Sequence, residues 1–177
     1  SMNAQDGNCE GTEPKKAKKL FDKALVDYSP TNSDAVKVVK EIMDKFPNFV
    51  EGHYFLGNHY EKVGFKTASH LPLRKKLMDQ SLEFYQNVER ICPSFSGHLA
   101  YYKLGILYHK VYNQEEKAAS YFKKYIDNEK EPPKEYYRVA KELADRYYLK
   151  YELIKKPVPF EPQPVKGVNS DKDEFLP

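Results

Sequence analysis

Two short runs in this chain share one spacing: Leu56-Gly57-x2-Tyr60 and Leu104-Gly105-x2-Tyr108. Each lies in a segment whose apolar residues recur at helical intervals, where a glycine costs about 1 kcal/mol relative to alanine. A glycine at the same place in two helices therefore marks a spot that another element must approach closely. The chain offers such elements: Ala118-x3-Phe122 and, in degenerate form, Ser81-x3-Tyr85 and Ala35-x3-Val39. A small residue on each helix lets the backbones approach, and the bulky residue fills the space beside the contact. Pro47, Pro93 and Pro132 then stop the second helices. This pattern predicts paired antiparallel helices and no sheet.

The periodicity predicts seven helices. The first starts at Pro14, with Ala17, Leu20, Phe21, Ala24, Leu25 and Tyr28 on one face. The second follows a cap at Ser33 or Asp34 and turns Ala35, Val38, Val39, Ile42 and Phe46 inward. A third runs over 50–63, ended by Gly64, and a loop over 65–72 holds His70 and Pro72. The fourth covers 73–92 with Leu77, Met78, Leu82, Tyr85, Val88 and Ile91 inward. The fifth covers 97–111. The sixth covers 115–128, with Ala118, Tyr121, Phe122, Tyr125 and Ile126 periodic. The seventh follows Pro132-Pro133 and presents Tyr136, Val139, Ala140, Leu143, Tyr147 and Leu153. The domain plan is a loose N-terminal segment over 1–13, a helical domain over 14–154 and a Pro-rich extended tail over 155–177. In that tail Phe160 is the expected anchor, onto the helices or onto a neighbouring molecule.

The Leu-Gly-x2-Tyr runs, the small-x3-aromatic runs and the closing prolines resemble the tetratricopeptide repeat (TPR) family over residues 14–154. The two glycines are 48 residues apart, against about 34 for a standard repeat. The excess falls mostly in the 65–72 loop and an extended start to the fourth helix. His53 and Tyr101 stand where the family has Trp, and the unpaired seventh helix reads as a solvating cap. The resemblance implies a right-handed superhelix of about seven antiparallel helices, with the first helix of each pair lining a concave groove. The groove residues it implies are Tyr54, Asn58 and Glu61 in the second pair, and Tyr102, Ile106, His109 and Lys110 in the third. They stand either for a peptide groove or for an ordinary solvated helix face. The lysine and asparagine clamp of co-chaperone members has no counterpart in the first pair, which offers Leu20 and Ala24.

Residues 162–177, ending Asp173-Glu174-Phe175-Leu176-Pro177, resemble the start of a TolB-type β-propeller. Some bacterial envelope proteins, including type IX secretion and gliding components, place a TPR region before such a propeller and an OmpA-like domain. Asn3-Ala4-Gln5 is similar to the end of a secretory signal peptide, while Ser1-Met2 reads as a cloning remnant. The resemblance thus implies a non-enzymatic periplasmic scaffold, outer-membrane associated, that binds a protein or peptide in its groove within an envelope complex. A cytosolic TPR adaptor for a short peptide or chaperone tail is the other expectation.

Composition narrows the classes further. The chain carries 29 Lys+Arg against 26 Asp+Glu, a net charge of +3, too balanced for a nucleic-acid binder. No run approaches the roughly 18 apolar residues a membrane span needs. No nucleophile–base set, phosphate loop or paired-carboxylate motif is visible, and no cofactor or metal is expected. His53 is expected to pack, and His70 is a lone loop histidine. Lys15-Lys16 and Lys18-Lys19 form either a partner contact or a solvated face. Whether Cys9 and Cys92 pair, and whether Cys9 carries a lipid, stays open at this point.

Overall fold

The computed structural model describes residues 9, 12, 14–26, 28–29, 34–130 and 133–155. Among the described residues there are seven helices and no strand: α1 (Lys15–Ala24), α2 (Asp34–Lys45), α3 (Val50–Lys66), α4 (Pro72–Ile91), α5 (Phe95–Lys110), α6 (Glu115–Asn128) and α7 (Lys134–Lys155). Consecutive helices pack on one another, most extensively α3 on α4 and α5 on α6. The chain is an all-α helical repeat. The tail beyond Lys155, with its expected anchor Phe160, lies outside the described residues, as do most of residues 1–13.

Two helical pairs interlock in the same way. The ring of Tyr85 lies 2.7 Å from where a Gly57 Cβ would stand, and the ring of Phe122 lies 2.6 Å from where a Gly105 Cβ would stand. The residue before each aromatic stacks on the tyrosine that closes the first helix's run. Phe84 lies parallel to Tyr60 at 5.8 Å, and Tyr121 lies parallel to Tyr108 at 5.5 Å. Ser81 and Ala118, one turn earlier, are buried, and the Ser81 hydroxyl donates to the Gly57 carbonyl at 2.9 Å. The repeated sequence pattern is thus a repeated packing unit.

Several boundaries differ from expectation. Gly64 does not end α3; it lies inside the helix, where Met78 packs against its bare Cα, and the chain leaves the helix at Thr67. Regular helix in α5 begins after a left-handed turn at Ser96, Gly97 and His98 (φ 52°, 66° and 58°). The Glu129 carboxylate sits against Gly97, where no Cβ fits. Helix α1 ends at Ala24, although Tyr28 still packs edge-on to Phe55 at 4.8 Å. Leu20, Val38 and Leu153, expected to face inward, are exposed, whereas Val36 and Ala144 are buried. Three apolar clusters result: one joining α1, α2 and α3, one running from α4 to α7, and a small one at the α2–α3 and α4–α5 junctions.

The third cluster contains a disulfide. Cys9 is bonded to Cys92, with Cα atoms 5.4 Å apart and a sequence separation of 83. Cys92 is buried beside Val50, Val88 and Ala100. Thr12, described like Cys9, donates its hydroxyl to the Cys9 carbonyl at 2.6 Å, and its own carbonyl accepts the Val50 N–H at 3.1 Å.

Candidate functional site

The first helices of three successive pairs meet along one cleft. Its lining comes from Phe21 of α1 with Leu25 and Tyr28 just beyond that helix, from a stripe of α3, and from Phe95 and Ser96 at the start of α5. The α3 stripe is Glu51, Tyr54, Phe55, Asn58, His59 and Lys62, residues that share one helix face. The aromatics brace each other. Tyr54 meets Phe95 edge-on at 5.5 Å, Tyr28 meets Phe55, and the Tyr28 hydroxyl lies 3.1 Å from His59 Nδ1.

Beneath the cleft lies a buried polar knot. The Tyr85 hydroxyl donates to Glu61 at 2.6 Å and lies 3.0 Å from the Asn58 amide oxygen. Lys103 also donates to Glu61, at 2.8 Å. Burial and the Glu61 carboxylate push the Tyr85 phenol well above its ordinary pKa, so it serves as a donor. The Asn58 amide meanwhile donates to the Tyr54 carbonyl at 3.1 Å. This knot ties α3, α4 and α5 together and fixes the floor on which Tyr54 and Asn58 stand.

No family model, no curated protein and no solved structure matches this chain. What the cleft can do is therefore read from its own residues.

The seven residues expected in the groove divide among five surroundings. Tyr54 and Asn58 line the cleft. Glu61 belongs to the buried knot. Tyr102 and Ile106 are only 9% and 8% exposed, with Tyr102 stacked on Tyr136 of α7 at 4.7 Å. His109 lines a separate hollow between α5, α6 and α7 with Glu115, Leu143 and Arg146, and Lys110 is exposed. Sequence reasoning placed none of the other lining residues in the groove, among them Phe55, His59, Lys62 and Phe95. The steps from Tyr54 to Asn58 to Glu61 drift off the cleft face, whereas Tyr54, Phe55, Asn58, His59 and Lys62 stay on it. Reading α3 alone at i, i+1, i+4, i+5 and i+8 from Tyr54 finds Phe55, His59 and Lys62, whereas Phe95 comes from α5.

Two histidines are held neutral. Burial lowers the pKa of His53, whose Nε2–H donates to the Pro47 carbonyl at 2.9 Å while its ring packs on Phe84. Burial, then the charges of Lys40 and Lys62, lowers that of His59. Both side chains gain protons more readily in the unfolded chain, with its ordinary pKa near about 6.5. Their neutral-state contribution is therefore complete above that value and declines as pH falls below it. The urea midpoint is expected to drop between about pH 7.5 and about pH 5.5. The paired variant His53→Gln, His59→Gln should flatten that slope. An equally steep slope in the paired variant would assign the titration to other groups.

Among the described residues no three His, Cys, Asp or Glu side chains converge to hold a metal. Among the described residues no helix is long and apolar enough to cross a membrane.

Proposed function

We propose that this chain is a TPR-type, non-enzymatic protein-interaction scaffold that holds a protein or peptide in the cleft between α1, α3 and α5. The observation that carries the reading is that the first helices of three successive pairs converge on one aromatic-lined cleft. Aromatic side chains with polar tips offer large contact area at small entropic cost, which suits recognition of another chain. The proposed setting is the periplasm, in an outer-membrane-associated, peptidoglycan-linked envelope or secretion complex of the type IX kind. The Cys9–Cys92 disulfide supports an oxidising compartment, since cytosolic thiols are kept reduced. The propeller-like residues 162–177 supply the rest of that assignment by resemblance.

A photo-crosslinking residue at Asn58, in the native cell and in the full-length gene product, should capture one discrete envelope protein. The same residue at Glu142, an exposed position on α7, should not. Mass spectrometry without reduction should recover Cys9 and Cys92 in one linked peptide. Equal capture at both positions would overturn the groove reading. Free thiols in a cytosolic fraction would favour the adaptor instead.

A further inference from the structure

The charges around the cleft are unevenly placed. Helix α1 carries Lys15, Lys16, Lys18, Lys19 and Lys23 against the single acid Asp22. Three of those lysines, Lys15, Lys18 and Lys19, share a shallow concavity with Asp22. That concavity adjoins the aromatic cleft, because Lys18 reaches from it to Glu51 in the cleft wall at 2.9 Å. Asp22 and Glu51, the acids that meet this ledge among the described residues, are both spent on one lysine: Lys18 also bonds Asp22, at 2.7 Å. Among the described residues no ion pair involves Lys15, Lys16, Lys19, Lys23 or Lys62. Lys62 stands on the cleft's α3 side. A positive field at this spot is also felt by His59, on which Lys40 and Lys62 act against protonation.

Apolar surface and unpaired positive charge thus lie side by side, and a ligand that covers both must bring an apolar group and negative charge together. We propose that the cleft receives an acidic peptide segment carrying an aromatic anchor. The anchor would enter between Tyr28, Tyr54 and Phe55, with flanking carboxylates on the Lys15–Lys19 ledge and on Lys62. This inference rests on the cleft being the binding surface and adds the chemistry of what binds there. Carboxylates set against this ledge speed encounter and disfavour basic partners, and the attraction is weakened by salt. A neutral apolar peptide leaves the lysines unused, and a basic one is repelled.

The test uses the whole oxidised chain and a fluorescein-labelled short peptide with a Phe-Pro pair flanked by glutamates, read by polarisation. Comparators replace the glutamates by glutamine, replace them by lysine, or replace the Phe by Ala. The glutamate peptide should bind about tenfold or more tighter than the glutamine peptide, and salt should erode the difference. The variant Lys15→Glu, Lys19→Glu, Lys62→Glu should weaken the glutamate peptide by about tenfold or more. All three lysines are exposed, so the fold should survive. The charge-matched variant Lys45→Glu, Lys76→Glu, Lys134→Glu, at exposed positions outside the cleft, should change it little. Equal weakening by both variants would mean that net charge alone is sensed and would overturn the inference. Equal affinity for the glutamate and glutamine peptides, with both lost in Phe55→Ala, would also overturn it while leaving the cleft as the binding surface. Binding by none of the peptides would overturn it too, and crosslinking at Asn58 would then decide the scaffold reading separately.

Discussion

Replacing Cys9 by Ser should lower the free energy of unfolding by about 4.5 kcal/mol, the value the chain-entropy account assigns to opening a loop of this size. The two cysteines are 83 residues apart, so the bridge restrains nearly half of the unfolded chain. Cys9→Ser is the informative side of the pair. Cys92 is buried among Val50, Val88 and Ala100, where a thiol is at home and a hydroxyl is not. A Cys92→Ser change would mix loss of the bridge with a buried polar group. Guanidinium unfolding should show a lower midpoint and a steeper dependence on denaturant, because the unlinked chain exposes more surface on unfolding. Reductant added to the unsubstituted protein should reproduce both effects and should change nothing further in Cys9→Ser. Exchange of the Val50 amide, which bonds Thr12, should rise with the same treatments. A shift under about 1 kcal/mol, with no response to reductant, would sink the claim that this bridge holds the fold.

The helical plan was readable because each helix carries its own period and its own stop. Helix α6 was bounded to the residue, since Asn113 and Gln114 break the chain before it and its Ala118, Phe122 and Tyr125 face one side. The errors fall where one residue type serves two ends. Glycine both terminates helices and admits close neighbours, and at Gly64 the second role wins because Met78 fills the space. The three left-handed residues at 96–98 could not be foreseen: only Gly97 favours that conformation, and the Glu129 carboxylate that sits there comes from the end of α6. Little of the cleft was legible. Tyr54 and Asn58 were found from the repeat register. Tyr102 and Ile106 were placed in the groove by the same register, but the third pair is covered by α7, and Tyr136 stacks on Tyr102. A register taken from a repeating stack assumes an open face at every repeat, and here the terminal helix closes one of them.

Gly105→Leu should destabilise the protein by about 3 kcal/mol, at the upper end for overpacking a filled core. The first added carbon alone would stand 2.6 and 2.7 Å from Cε1 and Cδ1 of Phe122. That ring cannot swing away into solvent. It is fully buried, and the Tyr102 ring lies 6.0 Å from it. Replacing glycine by leucine in mid-helix gains somewhat less than about 1 kcal/mol of propensity, which is smaller than the clash and does not reverse the sign. Gly64→Ala provides the contrast. Its new carbon would meet the Met78 methyl at 2.9 Å, the far end of a flexible side chain. The propensity gain should then roughly offset the repacking, leaving stability within about 0.5 kcal/mol of the parent. Phe122→Ala on its own should cost about 3–5 kcal/mol as a cavity. Combined with Gly105→Leu it should cost clearly less than the two single losses added together, because the leucine fills part of the space the ring vacates. Urea titrations of the four variants measure this directly. Strict additivity would show that Gly105 and Phe122 do not share a contact, and the interlock that repeats between Gly57 and Tyr85 would then lose its energetic meaning.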